Sequence, residues 1–453
     1  MMVAGKRILV VGMARSGIAA AQLLIGHGGI PILSDVKKPE TFGDGLSVLK
    51  DTACEFHLGE DPLKLLRHVS GVVISPGVPI DAPVVLAAKE QGVFLIGEME
   101  LAFSLLQGEV LAITGTNGKT TTVSLLGKIF ENAGRVTHVC GNIGYPLSAA
   151  ALKSKKDDIL VTEVSSFQLE TIKTFRPRAA ALLNISEDHL NRHGTMAQYI
   201  KLKQRLFENQ LESDFALLNL DDPVVAKMAS RIRSKVLYFS RVQKVETGAY
   251  VDKNMIVYSC HGATQPICDV EMILLPGLHN LENALVATVL AMTMGVPPVV
   301  IRHTFQTFTG VEHRIEKVRV FQGVTYINDS KGTNVESTLK AVQSMKAPTV
   351  IILGGYDKHT DFGPLCKEIA TSGKIDYAVL IGQTAKQLQK SLEAAGFTRI
   401  SRAYSMDEAI QRSRELAVPG GNVLLSPACA SFDMFPDYER RGEAFKEWVN
   451  QLC

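Results

Sequence analysis

The sequence has few cysteines, no excess of charge of either sign and no long hydrophobic run. Its seven cysteines are odd in number and scattered, with no CxxC pair. This pattern argues against a disulfide framework and a cysteine zinc site, and it is typical of reduced thiols. The 453 residues include 48 Lys and Arg against 46 Asp and Glu, a net charge of +2. A polybasic nucleic-acid binder would carry a clustered positive excess, so we predict no nucleic-acid partner.

Signals for export or membrane insertion are also missing. No window holds the roughly 18 apolar residues of a membrane span, because the best one, residues 281–301, contains a glycine and two prolines. At the N-terminus, Gly12 and residues 15–17 interrupt the apolar run that a signal peptide needs. We therefore expect a cytoplasmic protein that does not insert into a membrane.

Short β-branched runs recur along the chain, each followed by a turn and a helical pattern. Continuous apolar strands of this kind are buried on both faces in parallel sheets, so the predicted class is α/β, doubly wound and repeated. The length indicates about three domains. Residues 238–273 alternate apolar and polar side chains and are predicted to be antiparallel. The other predicted strands are residues 7–11, 71–74, 110–114, 159–163, 179–184, 215–219, 325–328, 349–353, 377–381 and 422–425.

Two changes of pattern suggest where the domains meet. The strand-like segment VFLIGE, residues 93–98, precedes a new strand and a Gly-rich loop. The segment FTGVEHR, residues 308–314, has no clear periodicity and is predicted to be a linker. We therefore predict domains of residues 1–98, 99–311 and 312–453.

The strongest local signal is a hydrophobic strand that runs into a Gly-rich loop and a helix, VLAITGTNGKTTT at residues 110–122. Glycines let backbone N–H groups converge on phosphate oxygens, and the helix N-terminus adds a positive dipole end. Lys119 would neutralise the β- and γ-phosphates, and the Thr120 hydroxyl could hold Mg²⁺. Ile113 stands where the strict G-x-x-x-x-G-K-[ST] pattern has its first glycine. We therefore predict a shortened phosphate loop.

A second Gly-rich turn lies near the N-terminus. The segment ILVVGMARSG, followed by Asp35 after the strand-like IPILSD, resembles a dinucleotide fingerprint. Ala14 occupies the place of the middle glycine, which lets the backbone approach a pyrophosphate. A nucleotide at this turn is predicted, and a redox dinucleotide is less favoured. A purely structural tight turn is the alternative.

Acidic residues and histidines follow two further predicted strands. Glu163 ends one strand, and a carboxylate on a strand beside a phosphate loop commonly holds Mg²⁺. The next strand leads into NISEDHLNRH, which supplies His189 and His193. A zinc site is not favoured, because there is no HExxH and no thiolate partner. A solvated loop histidine remains the alternative for His189.

Three polar clusters follow strands in the last third of the chain: TYINDSKGTN, LGGYDKHTDF and LLSPACASFD. Ligands bind at the carboxyl ends of strands in open α/β sheets. Asp329, Lys331 and Lys358 are charges at such ends. A single charge there is more often solvated than functional, but three clusters from separated strands favour a ligand site.

Together these motifs resemble the Mur ligase family, ATP-dependent amide-bond-forming enzymes of peptidoglycan synthesis. The resemblance spans the whole chain in the family's order: GMARSG, SPGV, GTNGKTTT, GNIG, EVSSFQLE, NISEDHLNRH, HNLENA, HR, NDSKGTN, GG-x-DK and LLSPACASFDMF. NDSK-x-TN with SPACASFD narrows it to the D-glutamate-adding branch.

The resemblance implies a Rossmann-like N-terminal domain for a UDP-sugar, a P-loop-type central ATPase domain and a Rossmann-like C-terminal domain for D-glutamate. The implied reaction joins D-glutamate to UDP-N-acetylmuramoyl-L-alanine through an acyl phosphate, with ATP and two Mg²⁺ ions. We expect a monomer.

The resemblance also implies roles for individual residues. Catalysis is assigned to Lys119, Glu163, His189 and Lys203, of which the last three, with Thr120, would bind Mg²⁺. ATP contacts are assigned to Gly115, Thr116, Asn117, Gly118, Lys119, Thr120, Thr121, Asn280, Asn283, Arg314 and Asp329. The UDP-sugar path is assigned to Ser16, Asp35, Lys37, Ser75 and Asn142. D-Glutamate contacts are assigned to Lys331, Thr333, Lys358, Ser431 and Tyr438. The family often has Phe at the last position and Thr-Arg where Val36-Lys37 stand.

One of these assignments does not follow from pattern. In MAQYIKLKQRLF, Lys203 aligns with a family lysine that is carbamylated and bridges towards the second Mg²⁺. Pattern alone predicts an ordinary surface lysine on an amphipathic helix, and Lys201 fits equally well. The spacing from Tyr199 favours Lys203.

Other functions remain open from the sequence. Another Mur-type ligase or a folylpolyglutamate synthetase would share the chemistry and the phosphate loop. An NAD-dependent oxidoreductase depends only on the imperfect N-terminal fingerprint. A non-enzymatic nucleotide switch is the third alternative, but the sequence has no NKxD guanine-recognition motif, and a switch would give the three C-terminal polar clusters no role.

Overall fold

A computed structural model describes residues 3–275, 277–357 and 360–452 of the chain. It divides the chain into two compact units, residues 1–308 and residues 309–453. The described part contains three sheets, mostly parallel and covered by helices, which confirms the predicted α/β class. Of the helices in these ranges, none combines the length and apolar character that a bilayer crossing requires.

The first sheet of unit one is built from five parallel strands in the order β3-β2-β1-β4-β5. Helix α1 packs so closely on the turn that follows β1 that a Cβ at Gly17 would lie 1.9 Å from the Gly12 carbonyl oxygen, so this position requires glycine. The elements are β1 Arg7–Val11, α1 Arg15–Gly26, β2 Ile30–Asp35, β3 Glu55–Leu58, β4 Gly71–Ile74, α2 Pro83–Glu90, β5 Leu95–Gly97 and α3 Glu98–Leu105.

The second sheet has nine strands in the order β14-β13-β12-β11-β10-β9-β6-β8-β7. Strands β6 to β12 pair in parallel. The pairs β12–β13 and β13–β14 are antiparallel, and these strands lie within residues 238–273, which were predicted to be antiparallel. The strands are β6 Glu109–Thr114, β7 Thr137–Gly141, β8 Ile159–Glu163, β9 Ala179–Leu182, β10 Phe215–Asn219, β11 Lys235–Ser240, β12 Gly248–Asp252, β13 Met255–Cys260 and β14 Ala263–Asp269. The helices are α4 Lys119–Asn132, α5 Leu147–Ala151, α6 Ser166–Leu169, α7 Leu190–His193, α8 Met196–Gln204, α9 Pro223–Ala226, α10 Leu278–Thr293 and α11 Pro298–Thr307.

A single core joins the two sheets of unit one. The buried cluster that contains Ile8 and Val10 of β1 continues through Leu101 of α3 to Val110 and Ala112 of β6. A second cluster covers the other face of the nine-stranded sheet, where α4 and α10 pack. Apolar side chains project from both faces of these strands into the two clusters. The strands are therefore continuous hydrophobic runs in the sequence.

Unit two has one six-stranded sheet in the order β15-β16-β20-β17-β18-β19, parallel except at β15. Strand β20 lies between β16 and β17, so the three predicted polar clusters follow three neighbouring strands. The elements are β15 Glu316–Phe321, β16 Val324–Asn328, α12 Val335–Ser344, β17 Thr349–Leu353, α13 Gly363–Thr371, β18 Ile375–Leu380, α14 Ala385–Ala394, β19 Ile400–Arg402, α15 Met406–Leu416, β20 Asn422–Leu425 and α16 Tyr438–Gln451.

Five short 3₁₀ helices complete the secondary structure of the described chain. They span Pro39–Leu49, Pro62–His68, Arg205–Phe207, Lys227–Arg231 and Val270–Met272.

A buried carboxylate ties α3 to the loop that precedes β9. Glu100 accepts hydrogen bonds from the backbone N–H groups of Lys173, Thr174 and Phe175 at 2.9, 2.7 and 3.0 Å. Glu100→Gln replaces one acceptor oxygen by an NH₂ group that faces these donors. We expect the free energy of unfolding to fall by about 2 kcal/mol, because hydrogen bonds to a charged group are lost in a buried site. Urea denaturation followed by circular dichroism measures this loss. Glu109→Gln, at an exposed position at the start of β6, is the matched control, and equal midpoints for the two variants would contradict the expectation.

Candidate active site

The predicted phosphate loop connects β6 to α4, and Gly118 is the N-cap residue that directly precedes the helix. Its φ is +85°, and a Cβ there would lie 2.6 Å from the Asn283 side-chain oxygen. Both the left-handed backbone and the close approach therefore require glycine. The first N–H groups of α4 lack helical partners, which makes this end of the helix suited to phosphate oxygens.

Contacts within unit one hold this loop in shape. Lys119 Nζ donates to the carbonyl oxygens of Gly115 and Thr116, each at 2.9 Å. The Asn117 N–H donates to the Asn184 side-chain oxygen at 2.9 Å. Thr121 lies in the first turn of α4. The cationic group of Lys119 thus lies at the loop that it is predicted to serve.

The two predicted asparagines of α10 also reach the phosphate loop region. Asn283 Oδ1 accepts a hydrogen bond from the Thr122 hydroxyl at 3.0 Å. Asn283 Nδ2 in turn donates to Asn280 Oδ1 at 3.1 Å. Helix α10 lies more than 150 residues further along the chain, and folding brings it against the start of α4.

A carboxylate and a hydroxyl form the oxygen-rich part of the site. Thr120 Oγ1 donates to Glu163 Oε2 at 2.8 Å, and both side chains are buried. Asn142 Nδ2 donates to the other oxygen, Glu163 Oε1, at 2.9 Å. Parallel pairing of β6 with β8 brings the strand ends together. Hydroxyl and carboxylate oxygens are the ligands that Mg²⁺ prefers, so the donor set fits this ion.

Lys203 lies beneath the phosphate loop. Its side chain is only 2% exposed, so the pattern-based prediction of a surface lysine is wrong; Lys201 is the exposed one. Lys203 Nζ donates to the Gly115 carbonyl oxygen at 2.9 Å and lies 4.8 Å from the centre of the Tyr199 ring. Burial, helped by the charge of Lys119, lowers the pKa of the Lys203 ammonium to about 7.

His189 directly precedes α7 as its N-cap residue, in a left-handed conformation with φ of +53°. Its ring centre lies 4.9 Å from that of Phe167, and Nε2 is 3.4 Å from Asp188 Oδ2. The side chain is half exposed. Among the described residues no group of three His, Cys, Asp or Glu side chains could hold a metal ion.

The predicted UDP-sugar residues line one cavity of unit one, with a volume of about 950 Å³. Asp35 accepts hydrogen bonds from the backbone N–H groups of Met13 and Lys37 at 2.7 and 2.9 Å. The Ser75 hydroxyl donates to the Gly12 carbonyl oxygen at 2.8 Å. The lining includes Ser16, Asp35, Lys37, Ser75 and Asn142.

In unit two, Asp329 lies buried at the end of β16. It accepts hydrogen bonds from the Ser426 hydroxyl at 2.6 Å and from the Ile315 N–H at 3.2 Å. Burial nevertheless raises the pKa of Asp329 to about 6. The neighbouring charge of Arg314 lowers this pKa, but less than burial raises it, and Arg314 itself is exposed.

The other predicted residues of unit two follow β16 and β20. Lys331 Nζ lies 5.6 Å from the centre of the Tyr438 ring. The Thr333 N–H donates to the Lys331 carbonyl oxygen at 2.8 Å, and Ser431 is buried beyond the end of β20. Lys358 lies outside the described residues.

The sequence gives no indication of two further contacts, one made by Arg441 and one by His193, although His193 itself belongs to a predicted motif. Arg441 of α16 is buried and donates to the Ser330 carbonyl oxygen at 2.8 Å and to the Cys429 carbonyl oxygen at 3.0 Å. It therefore joins the loops that follow β16 and β20. His193 bonds the Ser166 hydroxyl at 2.9 Å. Neither contact has a local signal, since their partners lie at least 12 residues away.

The whole chain is similar to known proteins. Residues 6–97 match the N-terminal domain of MurD-like Mur ligases, residues 113–291 the Mur ligase middle domain, and residues 313–429 the glutamate ligase domain of Mur ligases. A UDP-N-acetylmuramoylalanine--D-glutamate ligase from Thermoanaerobacter sp. (strain X514) is 44% identical over 450 residues, covering 99% of each chain. A protein of the same name from Clostridioides difficile (strain 630) is 43% identical, also covering 99% of each.

Solved structures share the fold at low identity. A UDP-N-acetylmuramate-alanine ligase from Thermotoga maritima is 16% identical with a TM-score of 0.59, covering 98% of this chain and 99% of its own. A MurF ligase from the same organism, in complex with ADP, is 17% identical with a TM-score of 0.54, covering 99% and 96%. The domain matches and the full-length relatives confirm the family resemblance, and the chain belongs to the Mur ligase family of ATP-dependent ligases.

Proposed function

We propose that this protein joins D-glutamate to UDP-N-acetylmuramoyl-L-alanine, with conversion of ATP to ADP and phosphate, in peptidoglycan precursor synthesis. The observation that carries this proposal is the pair of hydrogen bonds to Glu163. One comes from Asn142, which lines the 950 Å³ cavity, and the other from Thr120 at the phosphate loop. A substrate carboxylate at the end of this cavity would lie beside the terminal phosphate of a nucleotide on the loop. The names of the full-length relatives support the choice of substrates.

The chemistry accounts for the need for both sites. A carboxylate resists attack by an amine until one of its oxygens becomes a good leaving group. Transfer of the γ-phosphoryl group of ATP to the L-alanine carboxylate forms an acyl phosphate. The D-glutamate amine then attacks the carbonyl carbon, the C–O bond to phosphate breaks, and the amine loses a proton. Inorganic phosphate, ADP and the amide are the products.

The chain's own residues bind and orient the phosphates. The N–H groups at the start of α4 and the Lys119 ammonium counter the charge of the phosphate oxygens, and this charge is largest in the transition state. Thr120 and Glu163 would hold one Mg²⁺ ion, and His189 with a carbamylated Lys203 would hold a second. When bound, these ions neutralise negative charge on the transferring phosphoryl group.

The environment of Lys203 suits carbamylation. Only the neutral amine reacts with CO₂, and a pKa of about 7 leaves about half of the Lys203 side chains neutral at pH 7. The product changes the side-chain charge from +1 to −1. A negative group beneath the phosphate loop would be stabilised by the ammonium of Lys119, whose charge already acts on Lys203.

D-Glutamate is assigned to unit two. Its two carboxylates suit cationic and hydroxyl side chains, and Lys331, Thr333 and Ser431 follow neighbouring strands there. Tyr438 packs on Lys331 and would orient it. We also assign Lys358 to this site, and Arg314 and Asp329 to the nucleotide.

We further propose that the enzyme is a monomer in the cytoplasm. The six cysteines within the described ranges are free thiols, which suits a reducing compartment. Light scattering after size exclusion would test the monomer.

The substrates are tested by a phosphate-release assay with a panel of acceptors. We expect release with ATP, UDP-N-acetylmuramoyl-L-alanine and D-glutamate together, and a rate at least about 100-fold lower with L-glutamate, since a polar site rejects the misplaced groups of the wrong enantiomer. Folate and other UDP-muramoyl peptides test the nearest alternatives, a folylpolyglutamate synthetase and another Mur-type ligase. Preference for either would contradict the proposal.

The phosphate loop is tested by Lys119→Ala. We expect kcat to fall by at least about 1,000-fold, because the cation faces the charge that develops on the γ-phosphate. The affinity for the UDP-linked substrate, measured by calorimetry, should stay within about twofold, because that cavity does not depend on the Lys119 side chain. Lys128→Ala is the matched control on α4, where Lys128 makes a surface ion pair with Glu131. Unchanged turnover in Lys119→Ala would contradict the assignment.

The carbamate is tested by Lys203→Ala, with Lys201→Ala as the exposed control on α8. We expect Lys203→Ala to lose most of its activity, because the negative group that would hold the second ion is gone. Formate or acetate should restore part of it by supplying a free carboxylate. Mass spectrometry of the wild type tests for the carbamate on Lys203, and folding measurements on each variant accompany the activity measurements. Full activity of Lys203→Ala without an added carboxylate would refute the carbamate.

A further inference from the structure

Three polar side chains at the edge of the nine-stranded sheet form a chain of hydrogen bonds that no assigned function uses. His138 lies on the edge strand β7, and its Nε2 is 2.9 Å from Asp158 Oδ2. Its Nδ1 is 3.1 Å from the Tyr145 hydroxyl. The side chains of His138 and Asp158 are 13% and 8% exposed, so water competes little for the bond between them, whereas Tyr145 is partly exposed.

The direction of the bonds follows from the chemistry of the groups. The bond from His138 and another from the Lys155 N–H at 3.0 Å hold the pKa of Asp158 below its ordinary value, so Asp158 is a carboxylate that only accepts. Nε2 of His138 therefore carries the proton. In the neutral ring Nδ1 is then an acceptor, and the Tyr145 hydroxyl donates to it.

Tyr145 belongs to the loop of residues 141–146, which runs from the last residue of β7 to the start of α5. This loop contains two glycines with left-handed backbones, Gly141 and Gly144, with φ of +101° and +65°. Such residues adopt many conformations in the absence of other restraints. The Tyr145 hydroxyl supplies a side-chain restraint that fastens the loop to the sheet edge.

The other side of the same loop faces the substrate cavity. Gly141, Asn142, Gly144 and Pro146 line it. The Asn142 N–H donates to the Glu163 carbonyl oxygen, and its side chain donates to the Glu163 carboxylate, both at 2.9 Å. The loop is thus held at one end by the active site and at the other by Tyr145.

We propose that Asp158, His138 and Tyr145 form a clasp that positions residues 141–146 for the nucleotide-sugar substrate and, through Asn142, sets the orientation of Glu163. The three are positioning residues and do not touch the reacting atoms. This proposal adds positioning residues to the proposed function, and the identity of the substrate in it rests on that function.

The test compares wild type with Tyr145→Phe, which removes one hydroxyl at a partly exposed position and is expected to fold. We expect hydrogen–deuterium exchange in residues 141–146 to become about tenfold faster, because a local restraint is lost. The KM for UDP-N-acetylmuramoyl-L-alanine should rise about five- to tenfold. The KM for D-glutamate and the melting temperature should stay close to those of wild type, which separates positioning from a general loss of stability.

Two controls sharpen the result. Tyr258→Phe makes the same substitution on β13, at the other end of the same sheet, and should change neither readout. The double variant His138→Gln/Tyr145→Phe should have a KM for the UDP-linked substrate no higher than that of the more impaired single variant. The reason is that both changes remove the same hydrogen bond, between His138 and Tyr145.

Each outcome decides a separate point. Unchanged exchange in Tyr145→Phe overturns the clasp, and faster exchange with an unchanged KM for the UDP-linked substrate overturns its role in substrate binding. If wild type forms no product, the proposed function fails, while the exchange measurement still decides whether the clasp restrains the loop.

Discussion

The buried carboxylate of Glu163 is the group on which the geometry of the site depends. It stands at the carboxyl end of β8, between β6 and β7 in the sheet. Its two oxygens are shared between Thr120 of the phosphate loop and Asn142 of the cavity loop. A buried carboxylate that loses such a donor is left with an unmet desolvation cost, so both bonds are strongly favoured. The two loops therefore take up a common geometry, with the nucleotide end of the site beside the cavity.

Buried cations are the second recurring constraint. Lys203 and Arg441 donate to backbone carbonyl oxygens and hydroxyls, and no carboxylate is among their hydrogen-bond partners in the described chain. Their charges are costly to bury, and the two respond differently. Lys203 can lose its proton near neutral pH, as its pKa of about 7 indicates. Arg441 keeps its proton, since its pKa remains about 10, and it is stabilised by satisfying its donors. One residue is suited to reaction and the other to holding loops together.

Much of the fold could be predicted from local sequence. Strands β1, β4, β8, β10, β17 and β20 begin and end where the hydrophobic runs indicated. β9 ends two residues earlier than predicted, since residues 183–184 leave the strand to contact the phosphate loop. The phosphate loop itself was recognisable because all its groups are consecutive. Each of these features depends on residues close together in the chain, where propensity and pattern act.

The sequence by itself determined the α/β class, the strand ends that carry the polar clusters, the phosphate loop and the family. Only the tertiary structure decided that Lys203 is buried and Lys201 exposed, that Arg441 joins two loops, and that His138 is bonded to Tyr145. The physical reason is that desolvation and hydrogen bonding depend on which distant groups pack together. Lys203 meets the Gly115 carbonyl oxygen across 88 residues, and no local pattern encodes that meeting.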